Sequence, residues 1–168
     1  DQPDARRLPA AAGQLLCAAF SSQRCTAAVE YSMFPLEFFI AGTPRSLGAS
    51  GESRERWKED VARVARPRIA DTVELHWLDH RPLSVSIYYF PAAPMEGDID
   101  NIVKPILDAL IGVAYLNDRV VERVLAQKFE PEIDWFFERP TEPLLAALDI
   151  EAPVVYIRLD DDGAWRRN

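Results

Sequence analysis

Hydrophobic and polar positions along the chain predict a mixture of strands and helices. Alternating or short apolar runs predict strands at 36–40, 73–78, 83–90, 120–129 and 154–159. Helical spacing of apolar residues predicts one helix over 53–65, ended by Pro67, and a second that begins near Asp100. We therefore predict one α+β domain, with a mixed sheet of about five strands and two main helices.

The same pattern divides the chain into three parts. Residues 1–32 are predicted to be an N-terminal extension with a helix over about 9–20. The domain is predicted at 33–160 and includes an insertion at 130–150 that is rich in acids, aromatics and prolines, with a short helix around Leu144 to Leu148. Three consecutive aromatic residues at 135–137 are too apolar for water, so we expect them to cover a core edge or a partner. Residues 161–168 are predicted to be a polar tail.

Charge is unevenly distributed along the chain. The sequence has 19 Lys and Arg against 27 Asp and Glu, a formal net charge of −8. This sign opposes binding to nucleic acid through phosphate neutralisation. Residues 43–70, however, hold seven Lys or Arg against four Asp or Glu, whereas 129–168 hold four against ten. No apolar stretch is long enough to predict a membrane span, and we expect a cytoplasmic protein.

Acidic residues and one lysine gather around the predicted start of the second helix. Asp98 and Asp100 would point to the same side of an extended segment, and Asp100 or Asn101 is a suitable N-cap. If the turn at 115–118 folds back over the helix start, Asp118 joins them and Lys104 lies at the rim. Three carboxylates are hard oxygen ligands of the kind that Mg²⁺ or Mn²⁺ prefers. The pattern therefore allows a metal site for phosphodiester chemistry.

Ordinary helix stabilisation is the alternative reading of these charges. An acidic N-cap contributes about 1 kcal/mol to a helix. A pair between Asp100 and Lys104, four residues apart, contributes a few tenths of a kcal/mol (about 0.2–0.5). Spacing alone leaves both readings open.

A longer motif resembles a known family. The run Asp98-Ile99-Asp100-Asn101-x-x-Lys104-x-x-x-Asp108-Ala109-Leu110, followed by Tyr115-Leu116-Asn117-Asp118, is similar to the signature of the RusA family of Holliday-junction resolvases. Upstream, residues 38–46 resemble the opening strand and proline-containing turn of that family. The resemblance implies a small homodimeric endonuclease that cuts four-way DNA junctions symmetrically with Mg²⁺ or Mn²⁺ and serves recombination and repair.

The resemblance also implies roles for individual residues. Asp98, Asp100 and Asp118 match the aspartates that hold the catalytic metal, and Lys104 matches the essential lysine of the family. Asn101 matches the polar residue beside the second aspartate, and we expect it to contact DNA.

Two positions depart from the family pattern. The turn usually has two aspartates, but here Asn117 precedes the single aspartate, and Val120 stands where glutamine is common. Together with the net charge, these departures leave open a non-catalytic binding module with an acidic partner-binding or DNA-mimicking surface. A metal-dependent nuclease that acts on flaps or RNA is a third possibility.

Four basic residues are further candidates for contact with DNA. Arg45 lies in the turn after the first strand, and Arg54, Arg56 and Lys58 lie on the outer face of the first predicted helix. Acidic residues are interspersed among them, so a simple solvated helix face is the alternative.

Overall fold

A computed structural model describes residues 34–45, 50–70, 82–95 and 97–161. In these ranges, three helices and four strands form a mixed α+β domain, which confirms the predicted class. The elements are β1 Leu36–Ala41, α1 Gly51–Ala70, β2 Leu83–Phe90, α2 Asp100–Leu110, a 3₁₀ turn Asp118–Val120, β3 Val121–Lys128, α3 Glu142–Leu148 and β4 Val154–Asp160.

The strands form one mixed sheet in the order β1-β4-β2-β3. Strand β4 runs antiparallel to both β1 and β2, whereas β2 and β3 are parallel. Parallel neighbours need a crossover connection, which α2 supplies here. The chain leaves the far end of β2, returns along α2, and enters β3 at Val121, which pairs with Leu83 at the start of β2. The two ends of α2 therefore lie near opposite ends of these strands.

Each face of the sheet packs against its own helices because side chains alternate along a strand. On one face, Val85 and Ile87 of β2 pack with Val61 of α1 and Ile106 of α2 in the larger core cluster. On the other face, Tyr156 of β4 belongs to a smaller cluster with α3. The larger cluster holds α1 and α2 firmly against the sheet, and α2 carries most of the candidate site.

Helix α1 differs from the prediction at its end. The prediction that Pro67 ends this helix is wrong, since α1 continues to Ala70. A proline in the last turn removes one backbone hydrogen bond, and Pro67 itself is exposed. Ile69, beyond it, packs against the larger core cluster. This burial favours the extra turn.

The aromatic residues at 135–137 divide between core and solvent. Phe137 packs against the smaller cluster, and the ring of Trp135 meets Phe129 edge-on at 4.8 Å between centroids. Phe136 is 87% exposed. The expectation that this run covers a core edge is thus met by two of its three members.

Several predictions fall outside the described residues. These are the helix at 9–20, the strand at 73–78 and nearly all of the tail at 161–168. Four of the five expected strands lie in the described ranges and form the sheet. The fifth, at 73–78, lies outside those ranges. Among the helices described, none has the length and apolarity needed to cross a membrane.

Candidate active site

The entry into α2 places Asp98 and Asp100 on either side of a core residue. Gly97 has φ +106°, a conformation that favours glycine, and Ile99 packs against the larger core cluster. Ile99 has helical dihedrals and occupies the N-cap position, where no side chain caps the helix. Instead, the Asn101 N–H donates to the Asp98 carbonyl at 3.2 Å.

This geometry corrects two predictions. The segment from Asp98 to Asp100 is a turn rather than an extended stretch, because Ile99 is helical. Neither Asp100 nor Asn101 is the N-cap, since α2 already begins at Asp100. The backbone turn supplies the helix start, so no side-chain cap forms there.

The carboxylates of Asp98 and Asp100 have no partner in the part of the chain that the structure describes. Both residues are exposed, and neither carboxylate forms an ion pair or hydrogen bond with the described residues. The predicted pair of Asp100 with Lys104 is absent, because the lysine side chain contacts other carboxylates. Helix capping and helix pairing therefore do not account for these two aspartates.

Lys104 is bracketed by two other carboxylates. Its Nζ lies 2.6 Å from Asp108 Oδ1 and 2.7 Å from Asp118 Oδ2. The hydrogen bond to Asp108, followed by that to Asp118, raises the pKa of Lys104 above its usual value. The lysine is half-exposed, and each carboxylate is about one-third exposed, so solvent reaches all three groups.

A tight turn after α2 delivers Asp118 to this lysine. Gly112 has φ +73°, and its N–H donates to the Tyr115 carbonyl at 2.7 Å. The buried Tyr115 hydroxyl donates to the Leu107 carbonyl at 2.8 Å, which ties the turn to α2. Asn117 Oδ1 then accepts from the Arg119 N–H at 2.9 Å and caps the 3₁₀ turn that contains Asp118. Asn117, the departure from the family pattern, thus has a local structural role.

Burial and the neighbouring charges act together on Tyr115. Burial raises the pKa of its hydroxyl, and the carboxylates of Asp118 and Asp108 raise it further. The hydroxyl therefore remains a neutral donor to the Leu107 carbonyl well above neutral pH.

The three predicted metal-binding aspartates are not drawn together. The turn does fold back on α2, but Asp118 contacts it at Lys104, four residues or about 6 Å along the axis from Asp100. The crossover explains this distance, since the chain returns towards β3 from the far end of α2. In the part of the chain that is described, no group of three or more His, Cys, Asp or Glu could hold a metal ion. The carboxylate oxygens suit Mg²⁺ chemically, and the exposed Asp98 and Asp100 are available to it.

Two of the basic residues of α1 border a groove beside the site. Arg54 and Lys58 line a cavity of about 200 Å³ whose opposite wall includes Pro105 and Asp108 of α2. Lys58 also pairs with Glu55 at 3.0 Å. Arg54 forms no ion pair with the described residues.

Arg56 and Arg45 lie elsewhere. Arg56 pairs with Glu52 within α1, as expected of a solvated helix face. Arg45 lines a cavity of about 470 Å³ with Tyr89, Ile102 and the loop at 91–95. Because Ile102 belongs to the first turn of α2, Arg45 stands near the start of that helix.

The family model for endodeoxyribonuclease RusA matches residues 49–133. This range is just over half of the chain and includes α1, α2, the turn with Asp118, and β3. The chain belongs to the RusA endodeoxyribonuclease family. No curated protein matches the sequence. Membership of the RusA family implies a nuclease of the kind that resolves Holliday junctions and binds branched DNA, as the motif at 98–118 indicates.

Two residues of the arrangement were not among the predicted site residues. Asp108 holds the lysine, and Tyr115 anchors the turn. The spacing of four residues from Lys104 to Asp108 is the sequence signal for the first. The second has no comparable signal, since its hydrogen bond depends on how the turn packs.

Proposed function

We propose that this RusA-family chain is a Mg²⁺-dependent, structure-selective endonuclease that resolves four-way DNA junctions in recombination and repair. The observation that carries the proposal is the pair of exposed aspartates, Asp98 and Asp100, which have no structural partner among the described residues. Two exposed carboxylates this close in sequence can supply oxygen ligands to a cation. They stand on the helix that also presents Lys104.

We propose Asp98, Asp100 and Asp118 as the residues that hold Mg²⁺, with Mn²⁺ as a substitute. A bound ion of this type polarises the phosphate and lowers the pKa of an attacking water. The chain contributes hard oxygen ligands, and the carboxylates of Asp98 and Asp100 are open to solvent and unpaired with any described residue. Asp118 is the ligand that has to exchange its contact with Lys104 for this role.

Lys104 supplies positive charge rather than proton transfer in this proposal. Both carboxylates raise its pKa, so it is an ammonium throughout the neutral range. A fixed cation stabilises the negative charge that develops on a phosphate in the transition state. Its half-exposed Nζ is accessible to a phosphate oxygen.

Basic residues on two sides of the site would hold the DNA backbone. Arg54 and Lys58 border the groove against α2, and Arg45 stands near the helix start. Asn101 follows Asp100 directly in the first turn and would add a polar contact. With a net charge of −8, we expect weak and salt-sensitive binding unless two copies gather their arginines on one face.

We propose a homodimer, because symmetric cutting of a junction needs two active sites. Exposed apolar residues within 133–148 are candidates for its interface: Ile133, Trp135, Phe136, Leu145 and Leu148. Because DNA is the proposed substrate, we place the protein in the cytoplasm.

Cleavage of a synthetic four-way junction tests this function. The junction and a linear duplex of the same sequence are incubated with Mg²⁺, with Mn²⁺ or with EDTA. We expect paired nicks confined to the junction, in both metals and not in EDTA. Intact junctions in every lane, from a folded protein, would contradict the proposal.

The acidic net charge gives one alternative some support. A non-catalytic RusA-like module could present an acidic surface to a protein partner or mimic DNA. It predicts junctions that stay intact at every metal concentration. Cleavage of flaps or RNA in preference to the four-way junction would instead retain the metal chemistry and change the substrate.

A further inference from the structure

Lys104 has two possible partners on its own helix. Asp100 lies four residues before it and Asp108 four residues after it. An acid before the lysine is the more favourable order, because it agrees with the helix dipole. Lys104 nevertheless contacts Asp108, at 2.6 Å, and not Asp100. Helix stability alone therefore does not explain the choice of partner.

Asp108 is also poorly placed for helix stability. It lies in the last turn of α2, which ends at Leu110 and has no basic residue in that turn. Carbonyl groups at a helix C-terminus carry partial negative charge, so a carboxylate there is disfavoured. The side chain is one-third exposed, and among the described residues its carboxylate accepts a hydrogen bond from Lys104 alone. This placement points to a role outside helix stability.

Lys104 also contacts a second carboxylate, which comes from outside α2. Asp118 approaches from the turn, 14 residues along the chain, at 2.7 Å. With two carboxylates around one ammonium, the lysine stays paired if either carboxylate leaves. Asp108 is the fixed member of this pair, since it is on the same helix as the lysine.

We propose that Asp108 is a positioning residue for the nuclease site. It draws Lys104 away from Asp100, so that the Asp100 carboxylate stays unpaired, and it keeps the ammonium in place when Asp118 leaves. The role of Asp108 in the nuclease site rests on the proposed function. The physical claim, that Asp108 keeps Lys104 from pairing with Asp100, does not depend on that function.

Thermal unfolding without metal tests that physical claim. Asp100→Asn is made in two backgrounds, Asp118→Asn and the double variant Asp108→Asn/Asp118→Asn, at low ionic strength, where ion pairs contribute most. Both backgrounds lack the Asp118 carboxylate, so they differ only in whether Asp108 can hold the lysine. If Lys104 turns to Asp100 once Asp108 is neutral, Asp100→Asn lowers the Tm by roughly 1 °C more in the double variant than in Asp118→Asn. Interactions of Asp100 with the helix dipole occur in both backgrounds and cancel. An equal change in both backgrounds overturns the inference.

Kinetics supply a second readout. We expect Asp108→Asn to lower kcat about tenfold with KM little changed, and Asp108→Glu, which keeps the carboxylate, to recover most of the loss. Asp60→Asn, which removes a carboxylate paired with Arg63 within α1, is the charge-matched control and should behave like the parent. A loss in Asp108→Glu as large as that in Asp108→Asn contradicts the positioning role.

The two experiments separate this inference from the proposed function. If the parent cuts no junction but the Tm changes differ as described, the function fails and the positioning by Asp108 stands. If the parent cuts junctions and the Tm changes are equal, the function stands and the positioning fails.

Discussion

Helices α1 and α2 lie side by side on the sheet, but their charged side chains differ in how they form ion pairs. Several charges on α1 pair within the helix, as in Arg56 with Glu52 and Arg63 with Asp60, whereas Arg54 forms no ion pair with the described residues. On α2, Asp100 has no partner among the described residues, and Lys104 reaches across the chain to Asp118. Local pairs of exposed side chains contribute only tenths of a kcal/mol (about 0.3–0.5) and keep a helix soluble. Unpaired and long-range charges on the neighbouring helix need another explanation, and we interpret them as a site.

The largest expected effect is on cleavage, and it distinguishes a lysine of α2 from a lysine of α1 when each is replaced by methionine. Lys104→Met keeps the apolar stem and removes the charge, and we expect cleavage to fall by about two orders of magnitude because a transition-state cation is lost. Lys58→Met on α1 should instead weaken DNA binding and leave kcat nearly unchanged. Single-turnover cleavage and binding titrations measure both. Equal losses of kcat in the two variants would remove the distinction between the helices.

The next effect distinguishes two arginines on α1. Arg54 borders the groove against α2, whereas Arg56 is paired with Glu52. We expect Arg54→Gln to weaken junction binding several-fold and to reduce the slope of log K against log salt by about one. Arg56→Gln should leave the slope unchanged. Fluorescence anisotropy at several salt concentrations measures the slopes, and identical slopes for both variants would argue against DNA in the groove.

A smaller effect concerns the turn that carries Asp118. Tyr115→Phe removes the hydrogen bond to the Leu107 carbonyl while keeping the ring. We expect a loss of about 1 kcal/mol in the free energy of unfolding, measured with urea. Cleavage should also fall, because the turn that presents Asp118 loosens. Unchanged stability would show that the hydrogen bond does not anchor the turn.

The smallest effect appears only at alkaline pH. Burial raises the pKa of Tyr115 and raises that of Tyr156 to about 12. Folding therefore favours the protonated hydroxyls, and their contribution is complete below the unfolded value of about 10. It is lost as pH rises from about 10 through the folded values. Urea midpoints between pH 8 and 11 should decrease only above about pH 10, and Tyr156→Phe should reduce that decrease. A decrease that begins well below pH 9 would point to other groups.

Periodicity predicted much of the fold. Apolar runs and spacing located β1, β2, β3, β4 and the buried face of α2, because burial on one face imposes a period on the sequence. It did not predict the end of α1, where burial of Ile69 outweighs the cost of Pro67. Strand order and the parallel pairing of β2 with β3 also depend on contacts distant in sequence, which periodicity does not encode.

The site was only partly predictable for the same reason. The motif identified Asp98, Asp100, Lys104 and Asp118, and the structure places the last two in direct contact. The motif does not show that Lys104 contacts Asp118, because this contact depends on the turn that Tyr115 anchors to α2. Nor could it show that a backbone turn at Ile99 replaces the expected side-chain cap. The metal-binding role of the three aspartates stays a prediction.

One measurement tests the contrast between the helices most directly. Asp100→Asn on α2 and Asp60→Asn on α1 make the same change of one carboxylate to an amide, and the Asp60 carboxylate pairs with Arg63 at 2.8 Å. Cleavage of a four-way junction is followed in Mg²⁺ for both folded variants and the parent. We predict a loss of at least about 100-fold for Asp100→Asn and less than about twofold for Asp60→Asn. Parent-like cleavage by Asp100→Asn would contradict the assignment of the nuclease site to α2.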